Sequence, residues 1–306
     1  MRAHPTPVVP REQSAVVTLG ALGRAAAARV VEGDELATHD MLLRGVRVTY
    51  FDEGPEDAPP VLLLHGLGES RRQWLSLACA LLARHRVIAL DFPGFGDSET
   101  PSRARWSYES LAETALDLLA ALRLGRVAIV GHSMGAGVAI VAAADRPEFV
   151  ERLVLVSAPC YRAPRALAER LVTLPLVGAS IFKRLLGNVA LMHRSPSATP
   201  GEAAFAMMRR DVDPSTLEAR LPRVRASTLV VWGRDDRVHP SAHGLRLSRE
   251  LNGARLEILE CGHMPAAERS SSFNALVAEF LAEPPRPRLE PPAKPTRLRA
   301  RPDRRR

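Results

Sequence analysis

Short apolar runs alternate with amphipathic segments along most of the chain. Runs rich in Val, Ile and Leu that end at Gly or Pro predict strands covered on both faces, and the segments between them have the apolar spacing of helices. This alternation predicts an α/β fold with a mostly parallel sheet and helices on both of its faces. The predicted buried strands are PPVLLLHG, RVIALDFPG, RVAIVG, RLVLVS, STLVVWG and ARLEILE, which begin at residues 59, 86, 126, 152, 227 and 254.

Turn and cap residues mark the remaining elements. The segment MLLRGVRVTYFDEG, residues 41–54, predicts two strands joined at Gly45. Ser107 is a suitable N-cap, because its hydroxyl can accept a hydrogen bond from the first turn of a helix. Helices are predicted over residues 70–84, 108–124, 134–144, 243–251 and 270–281.

The strand–helix alternation stops at Pro159 and resumes at residue 227. The interval favours helix, contains Pro and Gly breaks, and has no convincing strand. We therefore expect one sheet-based core interrupted by a short helical cap. The predicted organisation is an N-terminal extension that is poorly structured or loosely helical (1–40), a core (41–159 and 225–283), a cap (160–224) and a disordered basic tail (284–306).

Net charge is concentrated at one end of the chain. Residues 284–306 hold nine Arg or Lys residues against Glu290 and Asp303, which accounts for seven of the eight net positive charges. This Pro- and Arg-rich tail has two open roles, as a solubilising segment or as a weak, non-specific electrostatic attachment to anionic lipid or nucleic acid. The body is nearly neutral, aromatic residues are only 5%, and no recognition motif is present. We therefore expect no specific nucleic-acid partner.

Composition also bears on the compartment. No uninterrupted apolar run reaches the roughly 18–20 residues that span a bilayer, and the N-terminus lacks a secretory layout. Cys79, Cys160 and Cys261 are odd in number and widely spaced, which argues against a disulfide framework. These features predict a cytoplasmic protein. Attachment of that protein to the membrane surface through the basic tail is the alternative left open.

Three predicted strand ends carry chemically capable residues. Ser133 lies in a Gly-x-Ser-x-Gly turn between a strand and a helix, Asp236 follows TLVVWGRD, and His263 follows EILECG. Ligands of doubly wound sheets bind at the carboxyl ends of the strands. In this order and setting, residues 41–281 resemble the α/β-hydrolase family, whose members carry a Ser–Asp–His triad.

The resemblance implies a role for each of the three residues. Ser133 would be the nucleophile, and His263 would take its proton and return it to the leaving group. The family spacing Gly-x-x-Asp-x-x-x-Pro favours Asp236 over Asp235 as the acid that orients His263. The family's other acid position, after RLVLVS, offers Ser, Ala and Pro at 157–159 and so no acid.

The resemblance also implies an oxyanion hole. The segment LLLHGLGES is similar to the family's His-Gly loop, so the backbone N–H groups of Leu67 and Met134 would be the two donors. His65 belongs to that loop. His132 precedes the nucleophile and is expected to pack beside the site. Neither histidine is assigned a proton-transfer role.

These residues predict a serine hydrolase, esterase- or lipase-like, that cleaves a small-molecule carboxylic ester through an acyl-enzyme, without metal or organic cofactor. The apolar cap segment 169–192 favours an uncharged acyl group. Ser133 argues against relatives that use Asp at this turn. Carbon–carbon bond hydrolases resemble the chain through WGRDDR and CGH, although they often carry Trp in place of Met264. Cofactor-free perhydrolases or haloperoxidases, acyltransferases and a catalytically silent binding module also remain open.

Overall fold

Eight strands form a single sheet in the computed structural model, which describes residues 36–101, 106–161, 215–251 and 253–284. The strand order is β1-β2-β4-β3-β5-β6-β7-β8. Strand β2 pairs antiparallel with β1 on one side and with β4 on the other. The other five pairings, β4–β3, β3–β5, β5–β6, β6–β7 and β7–β8, are parallel. The strands are β1 Thr38–Leu43, β2 Val46–Glu53, β3 Pro60–Leu64, β4 Arg86–Leu90, β5 Val127–His132, β6 Val150–Val156, β7 Ser227–Gly233 and β8 Arg255–Leu259.

Helices connect the parallel strands. Two short 3₁₀ turns, Arg71–Trp74 and Leu221–Arg223, accompany them. None of the helices in the four described ranges is long and apolar enough to cross a membrane. The α-helices are α1 Leu75–Leu81, α2 Tyr108–Ala121, α3 Met134–Asp145, α4 Ser215–Glu218, α5 Ser241–Glu250, α6 Pro265–Glu268 and α7 Ser270–Ala282.

Each parallel strand supplies both faces of the core because successive side chains point in opposite directions. In β3, Leu62 and Leu64 pack into the cluster that contains α2, α3 and α5, whereas Val61 and Leu63 pack into the cluster that contains α1 and α7. The sheet is therefore covered on both faces, which confirms the predicted fold class.

Most predicted elements are present, and the differences lie at their ends. Ser107 caps α2 and accepts a hydrogen bond from the Ser110 N–H at 3.1 Å. The helix predicted over residues 70–84 begins as the 3₁₀ turn Arg71–Trp74, whose first N–H donates to Asp91 Oδ1 at 2.6 Å, and continues as α1. Strand β1 starts at Thr38, ahead of the predicted core boundary, and Leu36 before it is buried.

Three of the sequence-based predictions concern parts of the chain outside the described residues. They are the N-terminal extension before residue 36, the cap between residues 162 and 214, and the basic tail after residue 284. They stay predictions, as does membrane attachment through the tail.

The junction between β5 and α3 depends on two glycines that let backbones approach closely. A Cβ added at Gly131 would lie 2.4 Å from the Gly135 carbonyl oxygen, and one added at Gly135 would lie 2.2 Å from the Leu64 carbonyl oxygen. Neither contact can be relieved by rotating a side chain, since both partners are backbone atoms. Helix α3 therefore starts directly against β3 and β5.

We expect Gly135→Ala to lower the free energy of unfolding by about 1–3 kcal/mol because the added methyl group overpacks this junction. The sign of this change in unfolding free energy is informative, because Gly→Ala inside a helix otherwise raises stability by up to about 1 kcal/mol. Gly125→Ala is the matched control, because a Cβ there meets nothing within 4 Å. Urea unfolding of both variants measures the difference, and equal stabilities would contradict this account of the junction.

Candidate active site

Ser133 occupies a strained backbone conformation between β5 and α3. Its dihedral angles are φ 48° and ψ −115°, a region that residues other than glycine rarely adopt. Such a conformation costs on the order of 1–3 kcal/mol and persists only where the surroundings enforce it. Here the Ser133 N–H donates to the Val156 carbonyl at 2.8 Å, and the Ser133 carbonyl accepts from Ala136 and Gly137. The serine is thus held at the carboxyl end of the sheet.

Asp236 and His263 form a hydrogen-bonded pair on the loops that follow β7 and β8. His263 Nδ1 lies 2.8 Å from Asp236 Oδ2, and the carboxylate is fully buried. Asp236 Oδ1 accepts the N–H groups of Val238 at 2.8 Å and His239 at 2.9 Å. Burial alone would raise the pKa of Asp236, but the hydrogen bond and positive charge of His263 and the hydrogen bonds from the two amides outweigh it, so this pKa lies below its usual value. The carboxylate is therefore charged and fixed.

The pair leaves one ring nitrogen of His263 available for chemistry. Because the Asp236 carboxylate can only accept, His263 Nδ1 carries a proton and Nε2 is free to take one. The His132 ring lies 4.9 Å from the His263 ring, measured between centroids, and His132 is the residue directly before Ser133. His263 thus lies beside the serine turn. Asp235, the alternative acid, has an exposed side chain.

The loop after β3 presents a backbone amide beside this turn. The Glu69 N–H donates to the Gly66 carbonyl at 3.2 Å, and Gly68 has φ 77°, which together form a tight turn with Leu67 at its first central position. Within the described part of the chain, neither the Leu67 N–H nor the Met134 N–H donates to an acceptor. Met134 is also the first residue of α3, where the helix dipole favours negative charge.

His65 is committed to holding this loop. Its Nε2 accepts the Phe92 N–H at 3.0 Å, so its Nδ1 carries the proton and donates to the Gly66 carbonyl at 2.8 Å. Burial lowers the pKa of His65, which keeps the ring neutral and both bonds intact. Both ring nitrogens of His65 are therefore occupied, and the expectation that it transfers no proton stays a prediction.

Comparison with known proteins identifies the family. Residues 59–195 match the family model described as alpha/beta hydrolase fold. The 2-hydroxymuconate semialdehyde hydrolase of Pseudomonas sp. (strain CF600) is 31% identical over 268 residues, covering 80% of this chain and 93% of the relative. This chain belongs to the α/β-hydrolase family.

Two solved structures are similar to this chain. One is the meta-cleavage product hydrolase CumD from Pseudomonas fluorescens IP01, with 28% identity, a TM-score of 0.69, and coverage of 79% of this chain and 97% of that one. The other is described as a membrane phospholipase A, with 29% identity, a TM-score of 0.65, and coverage of 84% and 89%. The fold of this α/β hydrolase is therefore shared with a protein named a meta-cleavage product hydrolase and with one named a membrane phospholipase A.

The backbone around His263 is held by a carboxylate that the sequence reasoning missed. Glu268 accepts the Gly262 N–H at 2.8 Å through one oxygen and the Met264 N–H at 3.0 Å through the other. The two amides flank His263, so one side chain fixes the loop on both sides of it. The signal was an acid in the short segment PAAE after the histidine, which also forms helix α6.

A second support reaches His263 from the serine turn. His132 Nε2 lies 2.9 Å from the His263 carbonyl oxygen. The pKa of His132 is lowered to about 3, mainly by burial and secondly by the positive charge that His263 carries when protonated. Burial also lowers the pKa of His239, whose ring lies 5.3 Å from that of His263, to about 4.

In the described residues, no cluster of His, Cys, Asp and Glu side chains could hold a metal ion.

We expect Asp236→Asn to lower kcat for p-nitrophenyl acetate by about a thousandfold or more. The asparagine oxygen can keep accepting the Val238 and His239 amides, which turns its NH₂ group toward His263 Nδ1 and forces the ring proton onto Nε2. That tautomer cannot take a proton from Ser133.

Asp235→Asn is the matched control because it removes one carboxylate from the adjacent, exposed position. Its kcat should stay within about twofold of the unmodified enzyme, since surface substitutions of this kind perturb little. A larger loss in Asp235→Asn than in Asp236→Asn would contradict the assignment of the acid.

Proposed function

We propose that this α/β hydrolase cleaves a carboxylic ester through an acyl-enzyme on Ser133. The observation that carries the proposal is the strained Ser133 turn beside the His263–Asp236 pair, whose ring and carboxylate atoms are 2.8 Å apart. A serine hydroxyl is a weak nucleophile at neutral pH, and an oriented imidazole is the group that activates it. The two unsatisfied amides of Leu67 and Met134 then support acyl transfer.

The reaction follows from these positions. His263 Nε2 takes the Ser133 proton while the serine oxygen attacks the ester carbonyl carbon, and the Leu67 and Met134 N–H groups stabilise the oxyanion. The carbon–oxygen bond to the alcohol then breaks, and His263 gives its proton to the departing alkoxide. Water, deprotonated by His263, attacks the acyl-enzyme, and the proton returns to Ser133 as the acid leaves.

An ester suits the groups present. An alkoxide leaving group needs one proton, and His263 Nε2, which has no partner in the described structure, can supply it, whereas His65 and His132 are both held in hydrogen bonds. His239 also has an unpartnered nitrogen, Nδ1, but burial lowers its pKa to about 4. The phospholipase likeness favours the same bond type. No step in this sequence calls for a metal ion or an organic cofactor.

Cleavage of a carbon–carbon bond is the second candidate, and the relatives favour it. Besides the 2-hydroxymuconate semialdehyde hydrolase at 31% identity, the 28% identical CumD structure is a meta-cleavage product hydrolase. In such a reaction a carbon fragment would leave from the carbonyl carbon that Ser133 attacks. The same Ser133 and oxyanion donors would serve, but the carbon leaving group is a stronger base than an alkoxide and must be stabilised by the substrate itself.

Steady-state hydrolysis of p-nitrophenyl esters from acetate to long acyl chains tests the proposal. We expect wild-type turnover to fall by about a thousandfold or more in Ser133→Ala, because the nucleophile is lost. The acyl length with the highest kcat/KM then measures the pocket.

Ser157→Ala is the matched control. Ser157 directly follows the neighbouring strand β6, has a similar positive φ of 49°, and has a buried hydroxyl without a partner in the described structure. Its removal should leave kcat unchanged. If wild type hydrolyses no ester faster than Ser133→Ala, the ester proposal is wrong. Loss of 2-hydroxymuconate semialdehyde absorbance with wild type, but not with Ser133→Ala, would then establish the second candidate.

A further inference from the structure

A chain of three hydrogen bonds links the oxyanion loop to the backbone of His263. The Gly66 N–H donates to Gln73 Oε1 at 3.0 Å, Gln73 Nε2 lies 2.9 Å from His132 Nδ1, and His132 Nε2 lies 2.9 Å from the His263 carbonyl oxygen. Gln73 is 7% exposed and His132 is 2% exposed, so water does not compete for these bonds.

The series of hydrogen bonds ends at a backbone N–H, which can only donate, and at a backbone carbonyl, which can only accept. These two groups determine where each proton between them lies. Gly66 N–H can only donate, so Gln73 presents its oxygen there and its NH₂ group to His132. His132 Nδ1 must then accept, which places the ring proton on Nε2, and that proton is donated to the His263 carbonyl. One tautomer of neutral His132 satisfies all three bonds, and protonation of Nδ1 would oppose two donors.

Gly66, the first residue in this series of hydrogen bonds, leaves room for the His132 ring. A Cβ added at Gly66 would lie 2.6 Å from His132 Nδ1, so only glycine lets the oxyanion loop approach this closely. Gly66 directly precedes Leu67, whose amide is one of the proposed oxyanion donors, and His132 directly precedes Ser133. The contacts therefore connect the nucleophile turn, the oxyanion loop and the base loop.

We infer that Gln73 and His132 are positioning residues that fix the catalytic His263 backbone relative to the oxyanion loop. This inference rests on the proposed function, since it takes Ser133 and His263 as the reacting residues. Neither positioning residue touches the substrate or transfers a proton. Each acts through its hydrogen bonds, and a displacement of about 1 Å in such a site lowers the rate by about 100-fold.

Two substitutions at one position separate the two ends of the His132 ring. The amide of His132→Asn reaches roughly the place of Nδ1, so it keeps a partner for Gln73 and loses the bond to His263. The amide of His132→Gln reaches roughly the place of Nε2, so it keeps a donor to the His263 carbonyl. The two variants divide the bonds of the ring between them, since His132→Asn keeps the Gln73 bond and His132→Gln keeps the His263 bond. His132→Asn is also one methylene group smaller, and the same loss of volume occurs in the control His85→Asn below.

The measurement is the rate of serine labelling by a fluorophosphonate, resolved into kinact and KI, because this reaction uses the nucleophile and base whichever bond the natural substrate contains. We expect His132→Asn to lower kinact by about 10- to 100-fold with KI changed by less than about threefold. His132→Gln should stay within about fivefold of wild type. A kinact for His132→Asn equal to or above that of His132→Gln would overturn the inference.

Two further variants complete the test. His85→Asn removes another buried histidine, 8% exposed and with its Nδ1 unpartnered in the described structure, and should leave kinact unchanged. An equal loss in this variant would show a general effect of burial and overturn the inference. If His132→Asn fails to fold, Gln73→Met replaces it, with kinact expected to fall about tenfold. Unchanged kinact in Gln73→Met would overturn the inference.

Failure of this inference and failure of the proposed function give different results. If wild type is labelled and Ser133→Ala is not, but His132→Asn matches wild type, only the positioning role is wrong. If wild type and Ser133→Ala are both unlabelled, the proposed function fails and the positioning role falls with it.

Discussion

The site depends on one backbone constraint, the positive φ of Ser133 at the junction of β5 and α3. The conformation is unfavourable by itself, and close packing enforces it, because Gly131 and Gly135 let α3 begin within contact of β3 and β5. The same packing leaves the Met134 amide, at the start of the helix, without an acceptor in the described structure. A single strained residue thus positions both the hydroxyl and one of the proposed oxyanion donors.

The remaining groups are held by backbone contacts from separate loops. Asp236 uses one oxygen for His263 and the other for the amides of its own loop, and Glu268 holds the two amides that flank His263. His132 adds a third contact, to the His263 carbonyl. These side chains are charged or tautomerically fixed, so each has one arrangement in which all its bonds are satisfied.

The parts of the fold and site that local sequence determines were predicted. The strand–turn–helix around Ser133 and the spacing that favours Asp236 over Asp235 both lie within short segments. Gln73 could not be found in this way, because its partner His132 is 59 residues away and only the folded sheet brings them together.

Family membership does not identify the bond that is cleaved, because relatives of similar identity are named a 2-hydroxymuconate semialdehyde hydrolase and a membrane phospholipase A. Both proposed reactions, at an ester and at a carbon–carbon bond, begin at Ser133. The claim common to both chemistries is that Ser133 becomes covalently acylated. A p-nitrophenyl dialkylcarbamate tests it directly, since carbamoylated serine hydrolyses slowly enough to isolate. The account predicts release of one p-nitrophenol per chain and a carbamoyl mass on the peptide that contains Ser133. A carbamoyl group on another residue, or none, would contradict it.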